Sequence, residues 1–167
     1  MTSSLPSATQ IGELSTSVSG CVPAEFIDSN GHMNVQFHLG LGARGADALV
    51  RAAGIDEYYR QHRRLGVFAA EHHLRYYSEL RTGDRFSVYA RALDRSAKTL
   101  HLMSFLVNMD NKRLSGSLEI ALVHVDLETR GPTAFPADIA AALDHSIAHS
   151  RSLNWPAPTC GFMGVRR

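Results

Sequence analysis

The sequence predicts an α+β fold in which a five-stranded antiparallel sheet wraps around one long central helix. Three observations carry this. No proline falls between Ala24 and Gly131, so that block can hold long uninterrupted elements. Residues 35–54, near its start, have helical length and many good helix formers. The rest of the block alternates strand-forming runs with turns at intervals of about ten residues.

Residues 1–12 are rich in Ser, Thr and small side chains, offer little apolar surface to offset the entropy of ordering, and are expected as a flexible tail. A first strand is expected over 14–22. The central helix follows over 35–54, with Gly54 as its C-terminal cap. Its Gly40, Gly42, Ala43, Gly45, Ala46 and Ala48 include three glycines that each cost ~1 kcal/mol relative to Ala. Close approach of the helix backbone to a sheet is the compensating reason expected. Residues 55–61 form a second, short helix. Strands over 67–77, 85–93, 99–109 and 116–126 read as an antiparallel meander, the first closed by the turn Arg81-Thr82-Gly83-Asp84. Residues 136–149 then open a helix at Pro136, with Ile139, Leu143 and Ile147 four apart on one face. The extension 150–167 is broken by Pro and Gly, and its single Trp155 is expected to dock on the body or on a neighbouring subunit. Residues 13–149 make one domain, and a helix laid across a sheet in this way is the hotdog architecture. Open sheet edges invite a homodimer or a dimer of dimers.

Composition narrows the function. In 167 residues, 17 Lys and Arg stand against 16 Asp and Glu, a balance that advertises no nucleic-acid partner and no anionic membrane surface. The polar N-terminus has no secretory pattern, and no run approaches the ~18 apolar residues of a membrane span. Cys21 and Cys160 are far apart and form no metal or disulfide spacing, which fits a reducing cytoplasm. The histidines scatter without ligand spacing, so no metal and no cofactor is expected.

Chemistry concentrates in the stretch between the first strand and the central helix. Asp28 precedes a turn of Ser29, Asn30 and Gly31, and His32, Met33 and Asn34 lead into the helix. Asp and Asn before a helix serve as caps and Gly in a turn supplies a positive φ. One helix needs one cap, however, and here an acid, two amides, an imidazole and a glycine share seven positions. A carboxylate beside exposed helix N-terminal N–H groups can hold an oxyanion.

The string Asp28-Ser29-Asn30-Gly31-His32-Met33-Asn34, the long helix after it, and the Arg-Tyr-Tyr-Ser-Glu-Leu-Arg-Thr-Gly-Asp segment ending at Asp84 resemble the hotdog-fold acyl-CoA thioesterases related to 4-hydroxybenzoyl-CoA thioesterase. The resemblance covers about residues 20–135, with weaker support from Leu80, Gly83, Asp84 and Glu119. The Asn-Gly-His-Met-Asn form is similar to the branch that includes betainyl-CoA thioesterases. The resemblance implies hydrolysis of a small or medium acyl-CoA, with Asp28 as the active carboxylate and the oxyanion donor among the backbone amides from Gly31 to Met33. Where relatives often carry Tyr, ten residues after the acid, this chain has His38. Phe37 points elsewhere on a helix.

A thioester suits such a site, because its leaving thiol has a pKa near ~8.5 and needs little acid help. The demanding steps are attack and oxyanion stabilisation. Asp28 either attacks directly or activates water. His32 either orients Asp28, binds the acyl carbonyl or completes the helix start, and Asn34 and His38 stand beside the acyl group. On the next strand Glu71 and His73 share one face and are expected to approach the site, Glu71 across a dimer interface where it would position water, while His72 points to the other face. Arg91, Arg95 and Lys98 surround one hairpin turn and are the candidates for the phosphates of coenzyme A. Tyr76, Tyr77 and Trp155 would suit a cationic acyl group. Two other functions fit the same fold: a hotdog enoyl-CoA hydratase or dehydratase, and a non-catalytic acyl-CoA-binding domain.

Overall fold

The structure, a computed structural model, describes residues 5–165. In chain order its elements are α1 (Ala8–Ile11), β1 (Thr16–Cys21), a 3-10 turn (Ala24–Phe26), α2 (Val35–Ala52), α3 (Glu57–Arg63), β2 (Leu65–Tyr76), β3 (Arg85–Arg95), β4 (Thr99–Asn108), β5 (Arg113–Asp126) and α4 (Ala137–Ser152). The five strands form one antiparallel sheet in the order β1-β3-β4-β5-β2. The fold is the hotdog: α2 lies along one face of the sheet.

The small residues of α2 do what their cost requires. A Cβ on Gly42 would stand 2.8 Å from Leu118 of β5, and one on Gly45 would stand 2.7 Å from Val88 of β3 and 2.9 Å from Ser104 of β4. Gly40 is different, with no atom near its missing side chain. Asn34 caps the helix start by accepting from the Gln36 amide at 3.0 Å. Gly54 follows the helix end at φ +99°. Ala46 and Val50 of α2 share a core with Leu102 and Ile120 of the sheet and with Ile139, Leu143 and Ile147 of α4.

Two expectations are corrected. The four later strands are not one meander, because β2 pairs with β5 at the far edge while β3 pairs with β1 and β4. The connection from β2 to β3 is accordingly no tight hairpin: it passes the start of α2, where Leu80 is fully buried in a cluster with Val22, Met33, Leu41 and Phe86. The second correction concerns the N-terminal tail. Ser7 and Gln10 form a reciprocal capping box around α1, and Ile11 and Leu14 bury in a cluster with Phe105 and Trp155. Residues 1–4 of that expected tail, and 166–167 of the extension, lie outside the described residues.

That cluster occupies the face of the sheet turned away from α2. Trp155 is 3% exposed and packs edge-on against Phe105 of its own chain, with ring centres 5.7 Å apart. The extension therefore seals the outer face. The edge of β2 that does not pair with β5 stays open, and Phe68, Ala69, Ala70, Glu71 and His72 along it are exposed.

Candidate active site

The loop before α2 folds as a tight turn. The Asp28 amide donates to the His32 carbonyl at 3.1 Å, and the Gly31 amide donates back to the Asp28 carbonyl at 3.0 Å. Gly31 closes the turn at φ +81°, where a side chain would be strained. The half-buried carboxylate of Asp28 accepts from the Asn30 amide at 2.8 Å and faces the Asn34 amide nitrogen Nδ2 at 3.5 Å. Asn34 thus caps α2 with its oxygen and holds Asp28 with its nitrogen. Its place is structural, beside the acid rather than on a substrate.

The donors at the helix start differ from those expected. The Met33 amide is bonded to the Leu80 carbonyl at 2.8 Å, the Asn34 amide to Phe26 at 2.8 Å, and the Gly31 amide to Asp28. Among the described residues, the amides of His32 and Val35 have no protein acceptor. The sequence could have shown this for Val35: an N-cap side chain reaches the second or third amide of a helix, which leaves the first unserved.

Both residues border a cavity of about 360 Å³ between the start of α2 and the end of β2, walled also by Met33, His38, Tyr76 and the segment Tyr77-Ser78-Glu79. Neither Asp28 nor Asn34 is a wall of it; the carboxylate belongs to the turn that leads into the wall residues His32 and Met33. His38 is 6% exposed and lies edge-on to Tyr76, with ring centres 5.1 Å apart. Its Nδ1 is buried without a hydrogen-bond partner. Burial, and secondarily the charge of His32, lowers its pKa to about 4. Phe37 does not take its place, being stacked on Phe26 at 3.8 Å.

Several expected contacts do not form within one chain. Glu71 and His73 stand opposite Ala121 and Glu119 and share the outer face, away from α2, while His72 turns toward the helix side. His73 accepts from Arg75 at 3.0 Å. Arg91 is buried on the outer face, donating to Ser150 Oγ, the Ser150 carbonyl and the Trp155 carbonyl at 2.6–2.9 Å, with its guanidinium 4.3 Å from the centre of the Trp155 ring. Its guanidinium is thus engaged within the chain, and the Trp155 ring is occupied by it.

Arg95 is committed to Asp144 through two bonds of 2.6 and 2.7 Å. Lys98 is exposed and shares with Arg95 a cleft of about 900 Å³. That cleft lies at the far end of β3 from Asp28: Val22 bonds Asp84 at the near end, and eleven strand residues span ~33 Å. The hairpin therefore does not meet the loop within one chain. No group of three or more His, Cys, Asp and Glu that could hold a metal exists among the described residues. No described helix is long and apolar enough to cross a membrane.

Comparison with known proteins bears on this geometry. The family model of the thioesterase-like superfamily matches residues 21–143. The chain is 32% identical over 139 residues to an L-carnitine dehydrogenase/betainyl-CoA thioesterase of Ruegeria pomeroyi, covering 83% of this chain and 28% of that protein. It thus spans less than a third of such a relative. It is 27% identical over 132 residues to a betainyl-CoA thioesterase of Pseudomonas aeruginosa, covering 79% of this chain and 83% of that one. A Staphylococcus aureus protein solved in complex with CoA superposes with a TM-score of 0.75 at 25% identity, over 92% of this chain and 97% of that one. A 1,4-dihydroxy-2-naphthoyl-CoA thioesterase from Synechocystis shares the fold, with a TM-score of 0.67 at 12% identity over 76% of this chain and 93% of that one.

Proposed function

This chain belongs to the thioesterase-like superfamily, and from that premise we propose that it hydrolyses a small or medium acyl-CoA to the free acid and coenzyme A. The observation that carries the reading is a pair of amides without protein acceptors, those of His32 and Val35, in residues that border a cavity beside the turn that holds the Asp28 carboxylate.

The thioester carbonyl enters the cavity with its oxygen toward the Val35 amide at the positive end of α2. Because Asp28 stands behind the cavity wall, a water between them bridges carboxylate and carbonyl, and Asp28 acts on that water as general base. The water oxygen bonds to the carbonyl carbon while its proton passes to Asp28. The carbonyl π pair moves to oxygen and is held by the helix-end donors. Collapse of the tetrahedral intermediate breaks the C–S bond and expels the thiolate, and the proton on Asp28 returns to sulfur. Gly31 and Met33 act by shape, fixing the turn, and His32 offers its amide.

The acyl group we assign to the cavity is a compact one. Tyr76 and Glu79 at its rim suit a cation, as in a betainyl group. We further infer a homodimer formed through the open edge of β2, which would satisfy that strand's unpaired backbone groups and cover Phe68. A cytoplasmic location accords with two cysteines, Cys21 and Cys160, that form no disulfide.

The test is thiol release, followed with a colorimetric thiol reagent, from acetyl-, betainyl-, aromatic and medium-chain acyl-CoAs. Release from at least one is expected. Silence across the panel, with tight acyl-CoA binding retained, would replace hydrolysis by binding alone.

A further inference from the structure

His38 is the one histidine of the molecule that is both buried and bonded to nothing among the described residues. Its two ring nitrogens differ. Nδ1 has no access to solvent and faces Gly116 of β5, where a Cβ would come within 3.2 Å of it. Nε2 has no protein partner either, yet it is not sealed, and the ring borders the cavity. An orphaned buried N–H is costlier and rarer than an under-served acceptor, so the ring proton belongs on Nε2 and the lone pair on the enclosed Nδ1.

The direction of the side chain adds the second half. A helical Cα–Cβ bond leans toward the N-terminus, so the ring of His38 covers the turn before it, which is the turn that begins with the unserved Val35 amide. Ring and amide border the same cavity. We propose that His38 donates from Nε2 to the thioester oxygen, as a second oxyanion donor beside the Val35 amide. This rests on the thioesterase reading.

A donor of this kind works best as a neutral imidazole, because it then keeps one proton state across the working pH range. The titratable groups on the cavity wall are His32, Tyr76, Tyr77 and Glu79. Burial and His32 oppose a charge on His38, and Glu79, the one acid among them, is paired with Arg81 at 3.1 Å. Gly116 belongs to the same device, since a side chain there would meet the His38 ring.

Two measurements test the proposal. In ¹⁵N-labelled protein, with His38→Gln giving the assignment, the His38 ring is expected neutral with its proton on Nε2 from pH 5 to 8. A proton on Nδ1, or a ring that charges near pH 6.5, overturns it. On an acyl-CoA that the wild type hydrolyses, His38→Phe keeps the ring but loses the donor, and kcat is expected to fall on the order of 10²-fold with KM little changed. His38→Gln, which can donate, is expected to recover much of that loss. An unchanged kcat in His38→Phe, or a loss confined to KM, contradicts the assignment. Silence of the wild type on every acyl-CoA removes the acceptor named here along with the thioesterase reading, while the ring measurement still decides whether His38 is a donor.

Discussion

Three buried histidines divide the molecule into two regions. Against α3, His124 has Tyr59 at 2.8 Å on Nε2 and the Thr133 carbonyl at 3.0 Å on Nδ1. On the outer face, His101 meets Glu119 at 2.8 Å, and Glu119 accepts also from the Cys160 amide at 2.7 Å. His38, at the start of α2, has neither nitrogen bonded. The same contrast runs through other polar groups: Arg91 and Glu119 are sealed with partners, while the amides of Val35 and His32, residues that border the cavity, have no protein acceptor. Two exceptions stand away from the site: Trp155 Nε1 on the outer face and Ser104 Oγ under Gly45 of α2. A buried polar group that is served holds the fold together; one left unserved beside a cavity waits for a ligand.

The contrast can be broken most forcefully at Asp28. Asp28→Asn keeps size and can still accept from the Asn30 amide, so the fold should hold while kcat falls on the order of 10³-fold. Steady-state kinetics with a denaturation curve on the same sample checks both halves. Glu119 is the opposite case. Burial alone would push its carboxyl up, but the hydrogen bonds from His101 and Cys160 outweigh this and hold it below its ordinary pKa. Glu119→Ala strands both donors and should cost about 3 kcal/mol in urea unfolding, with kcat of the folded enzyme unchanged.

Acid sharpens the comparison further. His38 has a folded pKa depressed to about 4 from 6.5, so between those values the unfolded chain binds the extra proton and stability falls as pH falls. Its contribution is fully present above pH 6.5, and about 2 kcal/mol of it is gone at pH 5. Wild type and His38→Phe unfolded in urea at pH 7 and pH 5 should differ by that amount in their pH 7 to pH 5 loss. Equal losses would show that His38 charges normally in the folded state. The smallest effect belongs to Asn34→Ala, which removes the α2 cap for about 1 kcal/mol and frees Asp28, lowering kcat several-fold. A loss of stability with kcat intact would separate the cap from the acid.

Much of the fold could be read in the chain because its signals are local. The turn at Gly83, the four-residue spacing of Ile139, Leu143 and Ile147, and the long glycine-bearing helix each announce themselves within a few residues. Position in the sheet does not. Nothing in the periodicity of β2 says that it pairs with β5 instead of β3, a pairing between residues 40 or more apart in the chain. Arg91 sits near a turn rich in charge, yet the groups that seal it come from the end of α4 and the segment after it, 59–64 residues on. Ser7 and Gln10 have the spacing of a capping box, a signal that the polar composition of residues 1–12 hides. In the site, the seven residues from Asp28 marked the place, and burial of His38 and occupation of the Met33 amide emerged only when distant strands were laid beside it.

If the proposed chemistry resides at the start of α2, substitutions there should cost turnover and those on the outer face should cost only stability. Thiol release from one acyl-CoA panel by wild type, Asp28→Asn and Glu119→Gln, each normalised to folded protein, tests it most directly. Wild type and Glu119→Gln should release thiol at similar rates and Asp28→Asn at least about 10²-fold more slowly. Near-normal release by Asp28→Asn, or a folded Glu119→Gln that releases none, would contradict it.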